Sequence, residues 1–152
     1  MNANSDLGPL RVGVAGLGTV GTGTVKVLAQ NAEILRARSG RDIVVTAVSA
    51  RNKSKDRGIY LDGIAWCDDA VELATRGDVD VIAELIGGED GVAKILIETA
   101  IKNGKHVVTA NKALLAEHGP ELFDRARDLG RSIAFEASVC LLYTSDAADE
   151  GL

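Results

Sequence analysis

Hydrophobic positions along the chain switch repeatedly between two spacings. Short β-branched runs are each followed by a stretch with apolar residues at helical intervals. Residues 12–15 form an apolar run that reads as a buried strand. After a glycine-rich loop, Val20, Val25, Val27 and Leu28 are the apolar positions of a helical pattern, and Ala32, Ile34 and Leu35 keep its spacing and extend it. Ser39-Gly40-Arg41 breaks that helix. Residues 42–48 read as a second strand, 58–63 as a loop and 64–67 as a short edge strand. Asp68-Asp69 caps a short helix through Thr75, and Gly77-Asp78 ends it. Residues 79–86 form the next apolar strand.

The second half of the chain repeats the alternation. Residues 90–103 read as an amphipathic helix with Val92, Ile95, Leu96, Thr99 and Ala100 on its apolar face, stopped by Asn103-Gly104. Residues 105–113 form a strand and its exit, with 107–110 buried. Residues 117–129 read as a helix with Pro120 in its first turn and Gly130 just past its end. Residues 133–137 read as a sixth strand. Strands alternating with helices throughout predict an α/β fold with a doubly wound parallel sheet. Residues 1–9 read as a flexible lead-in. Neither an internal repeat nor a low-complexity linker stands out.

The loop between the first strand and its helix reads Gly16-Leu17-Gly18-Thr19-Val20-Gly21, a G-x-G-x-x-G pattern. Alone it is a weak signal, since glycine loops also serve as plain turns. Placed between a strand and a helix, it predicts a Rossmann-type dinucleotide-binding domain. Gly16 permits the tight turn, Gly18 lets the backbone approach a pyrophosphate, and Gly21 lets the helix pack against the strand. The helix N-terminus then offers free N–H groups and a positive dipole end to phosphate.

Further candidate chemistry falls at strand ends. Arg51 follows the second strand, with Lys53 and Lys55 close by and no acid at that place. A carboxylate there would accept from a ribose 2′-OH, whereas a guanidinium suits a 2′-phosphate. NADP(H) is therefore favoured over NAD(H). The separation from the glycine loop is about 30 residues rather than the usual roughly 20, which the long first helix explains. Gly87-Gly88, at the carboxyl end of a strand, leaves room for a flat ring or ribose. Glu84 stands oddly in an apolar run, either as a buried, hydrogen-bonded carboxylate or facing a cleft. Asn111 and Lys112 fall at another strand's carboxyl end, where open α/β sheets bind ligands. Lys112 can donate there to a carbonyl, a hydroxyl or a carboxylate.

Whole-chain numbers narrow the alternatives. The 152 residues suffice for one domain with a core, and 26% charged residues is ordinary for a globular protein. A net charge of −5 disfavours a nucleic-acid surface. No apolar run reaches the roughly 20 residues of a membrane span. The polar first nine residues lack a signal-peptide core, which makes a cytoplasmic location the expectation. Cys67 and Cys140 make no metal-ligand spacing and read as inert. Trp66, the single tryptophan, reads as packing. His106 starts a strand and His118 lies in a polar turn between helices; neither is assigned to catalysis.

Four stretches converge on one family. Val14-Ala-Gly-Leu-Gly-Thr-Val-Gly-Thr-Gly23, Glu84-Leu-Ile-Gly-Gly88, Val108-Thr-Ala-Asn-Lys112 and Phe135-Glu-Ala-Ser-Val139 stand in this order. Together they resemble the nucleotide-binding domain of homoserine dehydrogenases, over residues 10–139. The resemblance implies NAD(P)-dependent interconversion of L-homoserine and L-aspartate 4-semialdehyde, towards threonine and methionine. It implies that Leu17, Thr19 and Val20 contact the cofactor and that Arg51 serves the 2′-phosphate. Lys112 would lie at the cofactor and substrate cleft and stabilise charge developing on the reacting oxygen. The family also holds a monovalent cation, Na+, mainly on backbone oxygens, and Glu136 and Val139 match the first two of those positions.

From Cys140 onward the pattern departs. The family continues with a glycine-containing stretch ending in Ile-Pro, whereas residues 140–152 follow no such course. The remaining cation ligands and the substrate domain have no counterpart here. The expectation is a truncated fragment with a foreign tail, which binds dinucleotide, turns over little and can self-associate through uncovered surface. A different semialdehyde dehydrogenase and a non-catalytic dinucleotide-sensing module are the competing readings.

Overall fold

The computed structural model describes residues 7–87 and 91–135. Six parallel strands form one sheet: β1 (Leu10–Ala15), β2 (Ile43–Ser49), β3 (Ala65–Cys67), β4 (Val81–Glu84), β5 (His106–Thr109) and β6 (Ile133–Ala134). Their spatial order is β3-β2-β1-β4-β5-β6. The chain therefore winds outward from β1 in one direction and then returns to wind outward from β4 in the other. The reversal lies between β1 and β4, where Val12 pairs with Val81 and Ala15 with Glu84. At such a switch point the connections leave in opposite directions and a crevice opens at the carboxyl ends.

Helices cover both faces. α1 (Thr19–Gln30) lies on one, and Val25 joins Val12, Val14 and Val48 in its core cluster. On the other, α3 (Val92–Lys102) and α4 (Lys112–Asp128) pack with a 3-10 segment, Ala70–Thr75, against Ala15, Ala47 and Ile82. Successive strand residues serve opposite clusters, as the two-residue pleat requires. This is the doubly wound α/β fold that the alternation predicts.

Several expected details are corrected. The first helix does not run on to Leu35. It breaks at Asn31, whose amide Nδ2 donates to the Val27 carbonyl at 3.0 Å, and α2 (Ala32–Ser39) follows. An asparagine that bonds its own backbone competes with helix continuation. Val20 and Val27 are exposed, leaving Val25 as the anchor. On α3, Val92 and Ile95 are 47% and 52% exposed, while Ala93, Leu96, Ile97, Ala100 and Ile101 are buried. The sheet selects the face with alanines, which lets the helix sit close.

The fourth helix starts at Lys112, not near Glu117, and Pro120 lies inside it. His118 is consequently a helix residue between Glu117 and Glu121, not part of a turn. An interior proline costs about 3 kcal/mol. Burial of Leu114, Leu115 and Leu122 contributes roughly 1.5–3 kcal/mol each, so packing outweighs the break. The strands β4 and β5 are shorter than the sequence suggests, pairing only over Val81–Glu84 and His106–Thr109, while residues 136–137 of the expected sixth strand lie outside the described residues.

At the amino ends of the strands lies a polar hollow of about 410 Å³, lined in part by Arg11, Arg41, Asp80 and Lys105. Arg11 donates through Nε and Nη2 to the two Asp80 oxygens at 3.0 and 2.9 Å. Lys105 is 6% exposed, and its ammonium donates to the carbonyls of Arg76 and Val79, both at 2.6 Å. Arg41 donates to the carbonyls of Leu7, Gly8 and Pro9. The pairing holds the Asp80 carboxyl below its ordinary range, chiefly through the Arg11 hydrogen bond. Burial pushes the Lys105 ammonium pKa down.

Candidate functional site: a dinucleotide cleft at the switch point

β1 delivers the chain into the glycine loop, and the loop is held from three sides. The Gly16 N–H donates to the Ser49 carbonyl at 2.8 Å. Gly16 has φ +96°, and a β-carbon there would lie 2.7 Å from the Leu85 carbonyl oxygen. Both facts require glycine. At Gly21 a β-carbon would stand 1.8 Å from the Gly16 carbonyl oxygen, so the first turn of α1 rests directly on the loop. Gly18 differs: nothing lies within 4 Å of the place its β-carbon would take. It faces open space, where backbone can approach a ligand.

Gly18 is the N-cap of α1 and supplies no side-chain cap. The helical ladder begins with the Thr22 N–H on the Gly18 carbonyl, at 2.9 Å. The N–H groups of Thr19, Val20 and Gly21 precede it and are the orphan donors of a helix start. Thr19 and Val20 are exposed there. Leu17 is buried beneath the loop, and its carbonyl accepts from Thr22 Oγ1 at 3.0 Å and Arg57 Nε at 3.3 Å.

A cleft of about 670 Å³ opens from this loop across the switch point. Gly16, Leu17, Gly18 and Arg51 line it, as do Lys55 and Arg57. Among the described residues the exposed Arg51 has neither a hydrogen bond nor an ion pair. Asp68 and Asp69 also border the cleft. Each is already engaged, Asp68 by Trp66 Nε1 and Asp69 by the Val71 N–H. The sequence reading passed over Arg57. Its guanidinium lies 5.5 Å from the Trp66 ring centroid and braces the glycine loop. The basic run at every second residue from Arg51 to Arg57 was the available signal.

Glu84, at the end of β4, is fully buried. Its Oε1 accepts from the N–H groups of Ile86 and Gly87 at 2.9 and 3.4 Å, and its Oε2 from Thr109 Oγ1 at 2.5 Å. Of the two readings left open, the buried, hydrogen-bonded carboxylate holds. Gly87 adopts φ +84°, beside the cleft-lining Ile86. Asn111 is 4% exposed and caps α4, its Oδ1 accepting from the Leu114 N–H at 3.0 Å. Lys112 is the exposed first residue of that helix. Neither Asn111 nor Lys112 lines the 670 Å³ cleft; they lie at the carboxyl end of β5, joined to it through Thr109 and Glu84. Glu136 and Val139 fall outside the described residues, as does Gly88. Cys67 is buried, and desolvation raises its thiol pKa, so it stays a thiol at neutral pH.

The family model described as the NAD binding domain of homoserine dehydrogenase matches residues 16–136. This chain belongs to the homoserine dehydrogenase family. Homoserine dehydrogenase from Pseudomonas aeruginosa is 48% identical over 133 residues, covering 86% of this chain and 30% of the relative. The enzyme of that name from Neisseria gonorrhoeae is 47% identical over 131 residues, with the same coverage. A homoserine dehydrogenase crystal structure from Thiobacillus denitrificans superposes with a TM-score of 0.77 at 42% identity, over 84% of this chain and 29% of that one. The chain thus spans about 30% of the length of the curated homoserine dehydrogenases it matches. What it shares with them is the dinucleotide-binding region. Among the described residues no helix is long and apolar enough to cross a membrane.

Proposed function

We propose that this chain forms the NADP(H)-binding part of a cytoplasmic enzyme that interconverts L-homoserine and L-aspartate 4-semialdehyde, on the route to threonine and methionine. The observation that carries the reading is the pairing, in one cleft, of an open helix start at Gly18 with Arg51, which has no partner among the described residues. The N–H groups of Thr19, Val20 and Gly21 suit a pyrophosphate. Arg51 and Lys55 favour a dinucleotide bearing the 2′-phosphate, since a guanidinium binds phosphate in a bidentate manner. A bound nicotinamide dinucleotide supplies or accepts the hydride.

The chain's own groups have distinct tasks. Leu17 and Gly16 set the height of the loop, and Gly87 leaves backbone room beside Ile86. Asn111 fixes the start of α4, which presents Lys112. The ammonium of Lys112 stabilises negative charge that develops on the substrate oxygen as the carbonyl is reduced. The monovalent cation belongs to the same reading, with Glu136 and Val139 as its first ligands. Residues 10–139 form the dinucleotide domain in this reading, and self-association is part of it.

Titration with NADPH and NADH, followed by nicotinamide fluorescence at fixed salt, tests the proposal. NADPH is expected to bind more tightly, and Arg51→Ala to weaken NADPH roughly tenfold while leaving NADH unchanged, as for one lost charge-assisted contact. Equal binding of both would remove the role of Arg51. Failure of a folded chain to bind either would remove the dinucleotide reading. Because the chain spans about 30% of its relatives, homoserine oxidation by it alone is expected to be far slower than by a full-length relative.

A further inference from the structure

Glu84 is a buried carboxylate for which the hydride transfer has no use. Ionisable groups with full burial are rare, and they are retained only when their hydrogen bonds are complete. Here the two oxygens of Glu84 reach two different strand exits, Oε1 that of β4 and Oε2 that of β5. Its Oε1 accepts from Ile86 N–H, and that N–H belongs to the same planar peptide as the Leu85 carbonyl. In a trans peptide the two groups point in opposite directions. The N–H end faces Glu84 while the carbonyl end abuts Gly16, at the 2.7 Å that bars a β-carbon there. Glu84 therefore sets the tilt of the peptide against which the glycine loop is seated. The 3.4 Å contact to Gly87 N–H orients the next peptide along the cleft wall.

The second oxygen reaches across to β5. Thr109 Oγ1 donates to Oε2 and accepts in turn from the Asn111 N–H at 3.0 Å. Asn111 caps α4 one residue before Lys112. One carboxylate thus joins the glycine loop, the Leu85–Gly87 exit and the start of the helix that carries the lysine.

We infer that Glu84 is a positioning residue for the nicotinamide half of the dinucleotide, aligning the exits of β4 and β5 without touching the ligand. The inference rests on the dinucleotide reading above. The bond pattern requires an acceptor at both oxygens. Glutamine keeps the shape and can still accept from Ile86 and Gly87. Its amide must then donate to Thr109 Oγ1, which already accepts from Asn111, and the hydroxyl proton loses its acceptor.

The test compares two ligands on the folded chain. NADPH carries both halves, and adenosine 2′-monophosphate carries only the adenosine side, with no phosphate for the glycine loop. Glu84→Gln is expected to weaken NADPH about tenfold and to shift the bound nicotinamide emission, while the monophosphate stays within twofold of the unsubstituted chain. Equal losses for both ligands would make Glu84 a general structural residue and overturn the inference, as would no loss for either. If the unsubstituted chain binds neither ligand, it is the dinucleotide reading that fails. Thr109 provides a second route should Glu84→Gln not fold. Thr109→Val is expected to weaken NADPH selectively, and Thr109→Ser to restore it by keeping the hydroxyl. NADPH binding by Thr109→Val equal to that of the unsubstituted chain would overturn the inference.

Discussion

At the amino ends of the strands, Arg11 grips both oxygens of Asp80, and Lys105 places its ammonium on two backbone carbonyls. At the carboxyl ends, Gly18 opens α1 without a cap, and Arg51 stands unengaged among the described residues. Both ends are hollow, and both carry arginine and lysine. They differ in whether the donors already have acceptors. A hollow whose donors are satisfied contributes to stability and has little left for a ligand, because a new partner must first displace an internal one. A hollow whose donors face solvent binds anions at small cost in reorganisation. Saturation, not charge, separates the stabilising end of this sheet from the binding end.

That contrast can be broken most severely at Gly21. A methyl group there meets the Gly16 carbonyl oxygen at 1.8 Å, and neither backbone can move freely. Gly21→Ala is expected to cost on the order of 3 kcal/mol or more and to abolish dinucleotide binding, as read by urea denaturation and NADPH titration. Next comes Lys105→Met, which leaves the carbonyls of Arg76 and Val79 without their donor. A loss of about 2 kcal/mol is expected from orphaned buried acceptors. The affinity of the molecules that remain folded should not change; a weaker affinity would mean that the two ends are coupled.

Gly18→Ala sharpens the same contrast from the opposite side. Its methyl group meets nothing, so stability should change by no more than about 1 kcal/mol, as for an N-cap exchange. Affinity for NADPH should nevertheless fall roughly tenfold or more, because the methyl occupies the place of closest backbone approach. Unchanged affinity would show that the pyrophosphate does not lie there.

The smallest effect is expected in acid. Hydrogen bonds from Arg11 and Arg76 lower the pKa of Asp80 and of Asp78 below the ordinary carboxylate value. Their stabilisation is complete above that ordinary value, near pH 4, and is lost as pH falls through the depressed folded pKa. Asp80→Asn should therefore lower stability at pH 7 and flatten the acid decline. A decline as steep as in the unsubstituted chain would assign it to other carboxylates.

How far the sequence alone could be read depended on the range of each interaction. The glycine loop was legible because its motif lies within six residues, although the support of Gly16 by Leu85 does not, and the strand-helix alternation gave the sheet. The apolar face of α3 was misread because both Val92 and Ile95 on one side, and Ala93, Ile97 and Ile101 on the other, repeat at helical spacing. Only the approach of the sheet decides between them. Pro120 misled for a similar reason. Its local cost is fixed, but the leucines that outweigh it are buried by residues remote in sequence. The part of Arg57 in bracing Leu17 depended on a contact 40 residues away. The partners of Glu84, Ile86 and Thr109, required the pairing of β4 with β5.

The seat of Gly16 against Leu85 has a consequence for the order in which the molecule comes into being. The loop and its support are about 70 residues apart in the chain, so a ribosome finishes the phosphate-binding turn long before its backing exists. Until β4 pairs with β1, the loop has no fixed height, and closing so distant a contact is slow compared with forming a helix. Dinucleotide affinity is therefore a property of the completed domain and a late event in its maturation. Once formed, the pocket lets the ligand select the finished state, adding about 2.7 kcal/mol at a concentration one hundred times its dissociation constant. Cellular dinucleotide supply would then influence how long newly made copies survive.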